Sequence, residues 1–342
     1  MTITILMLMG GRSSEHEVSL SSARGVMEAL DPDQFAVVPV LINSSGTWTH
    51  DDRPVTLSAG SDGRGVLIDL DGGPTTAIDV VFPVLHGPFG EDGAIQGLCE
   101  MIGVPYVGAG VAASAIGMDK ALFKSIARQH GLPVADAVLV TSVSWANDDS
   151  AIQVAVGAMG YPVFVKPARL GSSVGISRVA APDELDAAVT VALRFDDKVL
   201  IEQAIFGQEI EVGILGDAEL VVSPPGQIQY GADWYDYETK YESGRAELQI
   251  PADLPKEVTQ RVQELAAAAY RSIGCEGMGR IDGFVTPDGG VIISELNTIP
   301  GFTPTSAYPS LMAAAGISYP ELVARLVGSA IARAERERTL RR

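Results

Sequence analysis

The chain has few cysteines and few cationic residues. Only Cys99 and Cys275 occur among 342 residues, far apart and without metal-ligand spacing, which indicates two buried thiols in a reducing compartment. Lysines and arginines number 24 against 43 acidic residues, giving a formal net charge of −19. This charge argues against nucleic acid or an anionic membrane as a partner. Any phosphate ligand would need a local cationic pocket.

Signals for secretion and for membrane insertion are also lacking. The N-terminus has no basic region before Thr2–Leu6 and predicts a first strand. The uncharged run 101–118 reaches the lower length limit of a membrane span, but Pro105 and four glycines interrupt it, so it predicts a buried strand and loop. We therefore expect a cytoplasmic protein. Apolar residues make up 46% and charged residues 20%, as in globular proteins.

The order of elements predicts a fold of the α/β and α+β classes. Strands and helices alternate over the first hundred or so residues, which favours an α/β layer on a mostly parallel sheet. A compact α+β unit follows, and then a hairpin flanked by helices and ending in a charge-dense, frayed tail from Arg333. The predicted domains are 1–112, 113–204 and 205–342.

The segment 277–301, GMGRIDGFVTPDGGVIISELNTIPG, predicts a hairpin around Asp288-Gly289. A turn symmetric about these two residues places Asp282 opposite Glu295, and it places Arg280 opposite Asn297 in the same way. Facing side chains lie about 5 Å apart at Cβ, where like charges destabilise a sheet.

Two carboxylates and an amide oxygen on one face favour a divalent cation, and Mg²⁺ fits best because it shares carboxylates with substrate phosphates. Arg280 in the same hairpin suits a phosphate. The alternative is an exposed charged face whose acids pair with lysines elsewhere.

Two glycine-rich stretches offer further ligand sites. Lys166 ends a predicted strand just before the loop 169–175, RLGSSVG, and this arrangement is typical of a phosphate cradle, although a surface turn is an alternative. His86 opens the block HGPFGEDG after another strand, at the sheet edge where open α/β sheets bind ligands. A structural histidine is equally compatible with that position.

Together these stretches resemble the D-alanine–D-alanine ligases of the ATP-grasp superfamily over essentially the whole chain. The resemblance rests on GGRSSEHEVS from Gly10, HGPFGEDGAIQG, Met118-Asp119-Lys120, VKPARLGSSVGIS, IEQAIFGQEIEV, YDYETKY, and GRIDGFV with ELNTIPGFTPTS. It implies three domains, with an N-terminal Rossmann-like parallel-sheet domain, and ADP-forming ligation of two D-alanines through a D-alanyl phosphate for peptidoglycan precursor synthesis. It also implies a homodimer.

The resemblance implies ATP and two Mg²⁺ ions, which Mn²⁺ could replace. The metal ligands would be Asp282, Glu295 and Asn297. The nucleotide contacts would be Lys120 and Lys166 at the α- and β-phosphates, Lys240 near the γ-phosphate, Ser172 and Ser173 over the nucleotide, Glu202 at the adenine amine, the backbone of Gln203, Ala204 and Ile205 at the ring edge, and Glu209 at the ribose.

The resemblance also assigns the amino acid sites. Glu15 would pair with the ammonium of the first D-alanine, and His86 would lie near the carboxylate of that substrate. Arg280 and the Gly301 N–H would stabilise the oxyanion. Ser306 would meet the carboxylate of the second D-alanine, and Tyr241 would link Glu15 to Ser172. An alternative for Glu15 is a first-turn helix acid, with Ser14 and Glu17 forming a capping box.

The sequence departs from the family pattern at two positions. Gln203 replaces a lysine often found beside the adenine, and Ala307 stands where many relatives carry leucine or methionine. We expect the smaller Ala307 to admit D-amino acids larger than alanine as second substrate. Two alternatives remain: a ligase that uses D-lactate, disfavoured by Tyr241, and a nucleotide-binding protein without turnover, disfavoured by the retained Arg280 and Asp282.

Overall fold

The computed structural model describes residues 2–60, 63–147, 149–230 and 246–340. The helices in these residues are α1 His16–Ala29, α2 Ala94–Ile102, α3 Val111–Met118, α4 Lys120–Gln129, α5 Ser142–Asn147, α6 Ser150–Met159, α7 Leu185–Ala192, α8 Lys256–Ser272, α9 Ala307–Ala314 and α10 Tyr319–Leu340. The strands are β1 Ile3–Gly10, β2 Phe35–Ile42, β3 Trp48–His50, β4 Arg53–Ala59, β5 Gly65–Asp69, β6 Thr76–Ile78, β7 Val80–Pro83, β8 Ala137–Thr141, β9 Val163–Pro167, β10 Ser177–Val179, β11 Lys198–Gln203, β12 Gln208–Gly216, β13 Leu220–Val222, β14 Gly226–Tyr230, β15 Ala246–Gln249, β16 Met278–Val285 and β17 Val291–Asn297.

The N-terminal sheet is mixed, with the strand order β6-β5-β4-β3-β2-β1-β7. Strand β1 pairs in parallel with β2 and β7, and its residues Ile5 to Leu8 are fully buried, as expected for a strand covered on both faces. The strands β3 to β6 are antiparallel. The expectation of a mostly parallel sheet is therefore wrong for this half, whose short, largely half-buried strands leave little apolar pattern in the sequence.

The second and third sheets are antiparallel. The second has the order β10-β9-β11-β8 and shares its core with α6 and α7. The third has the order β15-β14-β12-β16-β17, with β13 beside β12. Helices α3 and α4 share the core of the third sheet through Ala113, Phe123 and Ala127, although both fall in the predicted middle domain. The domain boundaries remain predictions.

The C-terminal helix α10 packs back on the N-terminal sheet. Leu322, Val323 and Leu326 share a core with Ile5 and Val26. The tail from Arg333 was expected to be frayed, but the helix continues to Leu340. Buried Arg333 donates to the carbonyls of Tyr106 and Gly108 at 2.7 and 2.6 Å, and these two bonds stabilise the last turns. Among the described helices, none has the length and apolarity that a membrane crossing requires.

Candidate active site

The hairpin β16–β17 has the predicted pairing at the site. Asp282 faces Glu295 and Arg280 faces Asn297. Nearer the turn, however, Gly283 pairs with Ile293, so Ser294 is an extra residue in a β-bulge. The assumption of a turn symmetric about Asp288 and Gly289 is therefore wrong. A one-residue slip reverses the face of every side chain, and the bulge is what returns Glu295 to the face of Asp282.

Each of the facing carboxylates has a cationic partner. Arg280 donates two hydrogen bonds of 2.7 Å to Asp282, and Asn297 adds a third at 2.9 Å. Lys120 Nζ lies 3.1 Å from Glu295 Oε2. The expectation of an uncompensated repulsion is wrong, because the two acids are separately neutralised. The alternative of an exposed face whose acids pair with lysines is right about the pairing of Glu295 with Lys120 and wrong about exposure, because Asp282 and Lys120 are buried.

The two acids nevertheless differ in their ionisation. Burial raises the pKa of Asp282 to about 7 despite the charge of Arg280, and Glu211 and Glu295 add to the rise. Burial opposes ionisation at Glu295 too, but the charges of Lys120 and Lys166 outweigh it and lower the pKa to about 2. At neutral pH one acid is firmly ionised and the other stands near its titration point, where a further cation would favour its charged form.

Two lysines contact Glu202, a buried residue next to the C-terminal end of β11. Lys166 and Lys124 both form ion pairs with its carboxylate. Burial raises the pKa of Glu202, but these two charges reverse the effect and lower it. Sequence reasoning missed Lys124; its spacing of four residues from Lys120 on one helix was the available signal. The amides of Gln203 and Ala204 donate to the carbonyls of Asp136 and Pro162, so these two N–H groups are engaged within the protein.

The loop 169–175 reaches the N-terminal unit. Ser172 Oγ donates directly to Glu15 Oε1 at 2.6 Å, whereas the resemblance implied that Tyr241 would link the two residues. Ser172 and Ser173 both have left-handed backbones, with φ of 50° and 54°. At Gly171 a Cβ would lie 3.3 Å from Glu15 Oε2, so the backbone passes close to that carboxylate. Lys240 and Tyr241 lie outside the described residues.

The N-terminus of α1 differs from the predicted capping box. The helix begins at His16 with Glu15 as N-cap and has no side-chain cap. Ser14 therefore precedes the N-cap and Glu17 is the second helical residue, so the two cannot form a capping box. Ser13 Oγ instead accepts from the Glu15 amide at 3.2 Å and donates to the His86 carbonyl at 2.7 Å. The carboxylate of Glu15 bonds to Ser172 and does not cap the helix.

His86 connects the N-terminal sheet to the segment after β17. Its Nδ1 lies 2.9 Å from the Ile299 carbonyl and its Nε2 lies 3.1 Å from Ser22 Oγ. Burial lowers the pKa of His86, and a neutral ring satisfies both contacts if Nδ1 donates and Nε2 accepts. Ser22 Oγ also accepts from the Phe302 amide at 3.2 Å. The histidine therefore has a structural role, and its contact with substrate stays a prediction.

Glu91 has a matching position that sequence reasoning missed. Its carboxyl group accepts from the amide of Gly87 at 2.7 Å and from that of Ile299 at 3.0 Å. Burial raises the pKa of Glu91 to about 8. The residue lies within the HGPFGEDG block, but the pattern alone did not show which member of the block would face the site.

The remaining predicted residues lie on neighbouring elements. Ser306 is the N-cap of α9, and its Oγ accepts from the Thr303 amide at 3.1 Å. At Gly301 a Cβ would meet the same Oγ at 3.3 Å, so these two residues are adjacent. Ala307 is the first, half-buried residue of α9. Glu209 lies on β12 opposite Phe284.

A pocket brings together three of the predicted residues, Lys120, Glu295 and Asn297, with Glu91 and Gly171. These five residues come from all three sheets or from the loops and helices beside them. Thr298 also lines it, and its buried Oγ1 has no hydrogen-bond partner in the described residues. The arrangement provides cations, oxygen ligands and a nearby carboxylate, Glu15, in one small volume.

Known proteins match the chain along most of its length. A family model described as D-ala D-ala ligase N-terminus matches residues 4–109, and the model for the C-terminus matches residues 126–328. A D-alanine–D-alanine ligase from Deinococcus radiodurans is 47% identical, with 96% of this chain and 98% of the relative covered.

Two solved structures extend the comparison. The VanG D-Ala:D-Ser ligase from Enterococcus faecalis has a TM-score of 0.87 at 35% identity, covering 96% of this chain and 100% of that one. A D-alanine–D-alanine ligase from Bacillus anthracis complexed with ATP has a TM-score of 0.77 at 28% identity, covering 98% and 100%. The predicted fold class and the predicted ligase function are confirmed. The chain belongs to the D-alanine–D-alanine ligase family.

Proposed function

We propose that this protein joins two D-alanine molecules to D-alanyl-D-alanine, a peptidoglycan precursor, with ATP as the second substrate. The observation that carries this proposal is the pocket in which Lys120, Glu295 and Asn297 lie beside the loop that holds Glu15. On this proposal, the phosphates would bind next to the first amino acid. In the first step a carboxylate oxygen of one D-alanine attacks the γ-phosphorus, and ADP leaves. In the second step the amine of the other D-alanine attacks the acyl carbon, and phosphate leaves.

The nucleotide would lie between the second and third sheets. Glu202 would accept a hydrogen bond from the adenine amine, and Glu209 would accept hydrogen bonds from the ribose hydroxyls. Lys120 and Lys166 would contact phosphate oxygens. The relative from Bacillus anthracis was solved with ATP, which supports ATP as the nucleotide bound by this chain. Lys166 pairs with Glu202 in the structure, so it would exchange a carboxylate for a phosphate as its partner. Lys240 would complete the phosphate contacts.

The facing acids suit a magnesium ion. Asp282, Glu295 and Asn297 provide the hard oxygen ligands that Mg²⁺ prefers, and Mn²⁺ would fit the same set. The Thr298 hydroxyl, which lines the pocket and has no partner in the described residues, supports a bound ion with its waters, and a cation there would favour the ionised form of Asp282. The described residues contain no cluster of three or more His, Cys, Asp or Glu that could hold a metal, as expected where phosphates supply other ligands. When bound, two such ions would neutralise phosphate charge.

The chain's own groups would position the amino acids and stabilise negative charge. Glu15 would hold the ammonium of the first D-alanine, with His86 behind its carboxylate. Arg280 and the Gly301 amide would stabilise the oxyanion that forms when the amine attacks. Ser306 would bind the carboxylate of the second substrate. Because Ser172 bonds to Glu15, closure of the loop would also align the first substrate.

The direct test supplies ATP, Mg²⁺ and D-alanine, measures ADP release and identifies the product by mass. We expect one ADP for each D-alanyl-D-alanine formed. Background ADP release, unchanged by D-alanine, would instead favour a nucleotide-binding protein without turnover. D-Lactate serves as a competing acceptor at several pH values, because an amine must lose its proton before it attacks and a hydroxyl acceptor follows a different profile.

The second substrate is tested by comparing acceptors. The matched structure from Enterococcus faecalis is a D-Ala:D-Ser ligase, and Ala307 is small where many relatives of the family carry a larger residue. We expect the wild type to accept D-serine more readily than its Ala307→Leu variant does, relative to D-alanine. Equal discrimination by the two proteins would contradict this role for Ala307. A homodimer in the cytoplasm is the expected setting, and light scattering of the pure protein tests the dimer.

A further inference from the structure

Helix α4 carries two lysines one turn apart, and only the first belongs to the predicted site. Asp119 caps the helix by accepting from the amides of Ala121 and Leu122 at 3.1 and 3.0 Å. Lys120 faces Glu295, and Lys124 lies deeper, with 3% of its side chain exposed. The proposed nucleotide cleft lies between the second and third sheets. Helix α4 therefore presents Lys120 to the end proposed for the phosphates and Lys124 to the end proposed for the adenine.

Two acceptors fix the position of Lys124. Its ammonium group pairs with Glu202 and donates to the Ser294 carbonyl at 3.0 Å. Ser294 is the extra residue of the bulge in β17, and the neighbouring Ile293 amide is held by the Pro133 carbonyl at 2.8 Å. The Ser294 carbonyl is therefore held in place by the neighbouring backbone bond, and Lys124, which binds this carbonyl, fixes the position of the Glu202 carboxylate.

Glu202 needs such a partner because it is buried. A buried carboxylate is strongly destabilised unless a cation or several hydrogen bonds compensate its charge. Lys124 and Lys166 share this role in the structure. Lys166 is assigned to the phosphates under the proposed function, so its charge would move away when a nucleotide binds. Lys124 would then be the cation that remains beside Glu202.

We propose that Lys124 is a positioning residue for nucleobase selection: it holds Glu202 charged and aimed at the 6-amino group of the adenine. This inference rests on the proposed nucleotide site. Lys124 itself touches neither the base nor the phosphates. Its removal weakens the preference for a 6-aminopurine more than it weakens nucleotide binding in general.

The test measures binding without D-alanine, by displacement of a fluorescent ATP analogue by ATP and by purine riboside triphosphate, which lacks the 6-amino group. A hydrogen bond to a charged acceptor corresponds to a preference of roughly tenfold or more for ATP. In Lys124→Met we expect this ratio to fall to within about twofold of the ratio in Glu202→Gln. The affinity for purine riboside triphosphate changes by less than about threefold.

Lys198→Met is the matched control. Lys198 begins β11, lies four residues before Glu202, and pairs with the α4 cap Asp119 at 2.6 Å. Its loss removes a half-buried lysine between the same two elements without touching Glu202, so the ratio stays at the wild-type value. If Lys124→Met lowers the affinities for both nucleotides equally, so that their ratio is unchanged, the proposal is overturned and Lys124 has only a structural role.

Two further proteins cover the case in which Lys124→Met does not fold. Lys124→Gln keeps a donor for Ser294 without the charge, and an unchanged ratio in that variant overturns the proposal. The double variant Lys124→Met/Glu202→Gln lacks both buried charges. We expect its ratio of ATP affinity to purine riboside triphosphate affinity to equal that of Glu202→Gln alone. A wild type without any preference for ATP also overturns it. Absence of D-alanine turnover in a wild type that keeps this preference overturns the ligase proposal alone.

Discussion

Two buried regions of this protein treat their charges in opposite ways. In the cleft between the second and third sheets, lysines pair with Glu202 and Glu295, and the pKa of each acid is lowered. Beside the N-terminal sheet, no such pairing offsets burial at His86 and Glu91; the pKa of the histidine is lowered and that of the acid is raised to about 8. Glu202 and Glu295 in the first region are charged at neutral pH, whereas His86 and Glu91 in the second are mostly uncharged.

The difference corresponds to two kinds of work. Charged lysines and carboxylates can exchange partners with phosphates and metal ions, as Lys166 would on leaving Glu202. The neutral groups instead bind backbone: Glu91 holds the Gly87 and Ile299 amides, and His86 holds the Ile299 carbonyl. They connect the N-terminal sheet to the segment that carries Gly301.

The largest expected effect comes from Arg280→Met in the charged region. The change removes the guanidinium beside Asp282 and Glu211, which we expect to cost about 3 kcal/mol or more of unfolding free energy. Turnover falls by roughly a hundredfold or more because oxyanion stabilisation is lost. Urea unfolding and ADP release measure the two effects. Arg280→Lys, which keeps a charge, should retain more stability; equal losses in both variants would contradict the electrostatic account.

A middle-sized effect is expected for Glu91→Gln in the neutral region. The folded pKa of about 8 lies above the unfolded value of 4.5, so the native protein holds a proton that the unfolded chain releases. The contribution is fully present below pH 4.5 and is lost as pH rises towards 8, by up to about 1.4 kcal/mol per pH unit. Glu91→Gln removes this slope.

Urea unfolding at pH 5 to 8 detects the change in slope. The exposed Glu257→Gln on α8 is the control and should keep the wild-type pH dependence. Within the charged region Glu295 has the opposite sign: with a folded pKa of about 2 against 4.5, it contributes stability that is lost as pH falls through that window. Asp282 adds a slope of the same sign up to its pKa of about 7, so the decisive range is pH 7 to 8. A slope there that is as steep in Glu91→Gln as in the wild type would mean that the comparison is misplaced.

The smallest effect is expected outside both regions. Arg325 pairs with Glu321 at 2.6 Å on α10, with 49% and 43% of the side chains exposed. Solvent screens such a pair, so Arg325→Ala should lower the free energy of unfolding by no more than about 0.5 kcal/mol and leave turnover unchanged. A loss similar to that of Arg280→Met would show that burial does not set the scale of these effects.

The sequence predicted the elements that have strong local patterns. The first strand, the strand that ends beside Lys166 and the facing of Asp282 and Glu295 are confirmed. Long-range facts were beyond it. Lys120 neutralises Glu295 from a separate element, the helix α4, and the bulge at Ser294 compensates for a turn that is not symmetric. Glu91 and Lys124 were missed because their partners, Ile299 and Glu202, are distant in sequence.

The most direct test concerns the two facing acids, whose charges are balanced within the protein yet are proposed to hold metal. Turnover is measured at saturating ATP and D-alanine over a Mg²⁺ titration for Asp282→Asn and Glu295→Gln, with circular dichroism to check the fold. We predict a turnover at least about a hundredfold lower and a higher Mg²⁺ requirement in both, because charge stabilisation at the phosphates is lost. Near-wild-type turnover and Mg²⁺ dependence in both folded variants would contradict the account.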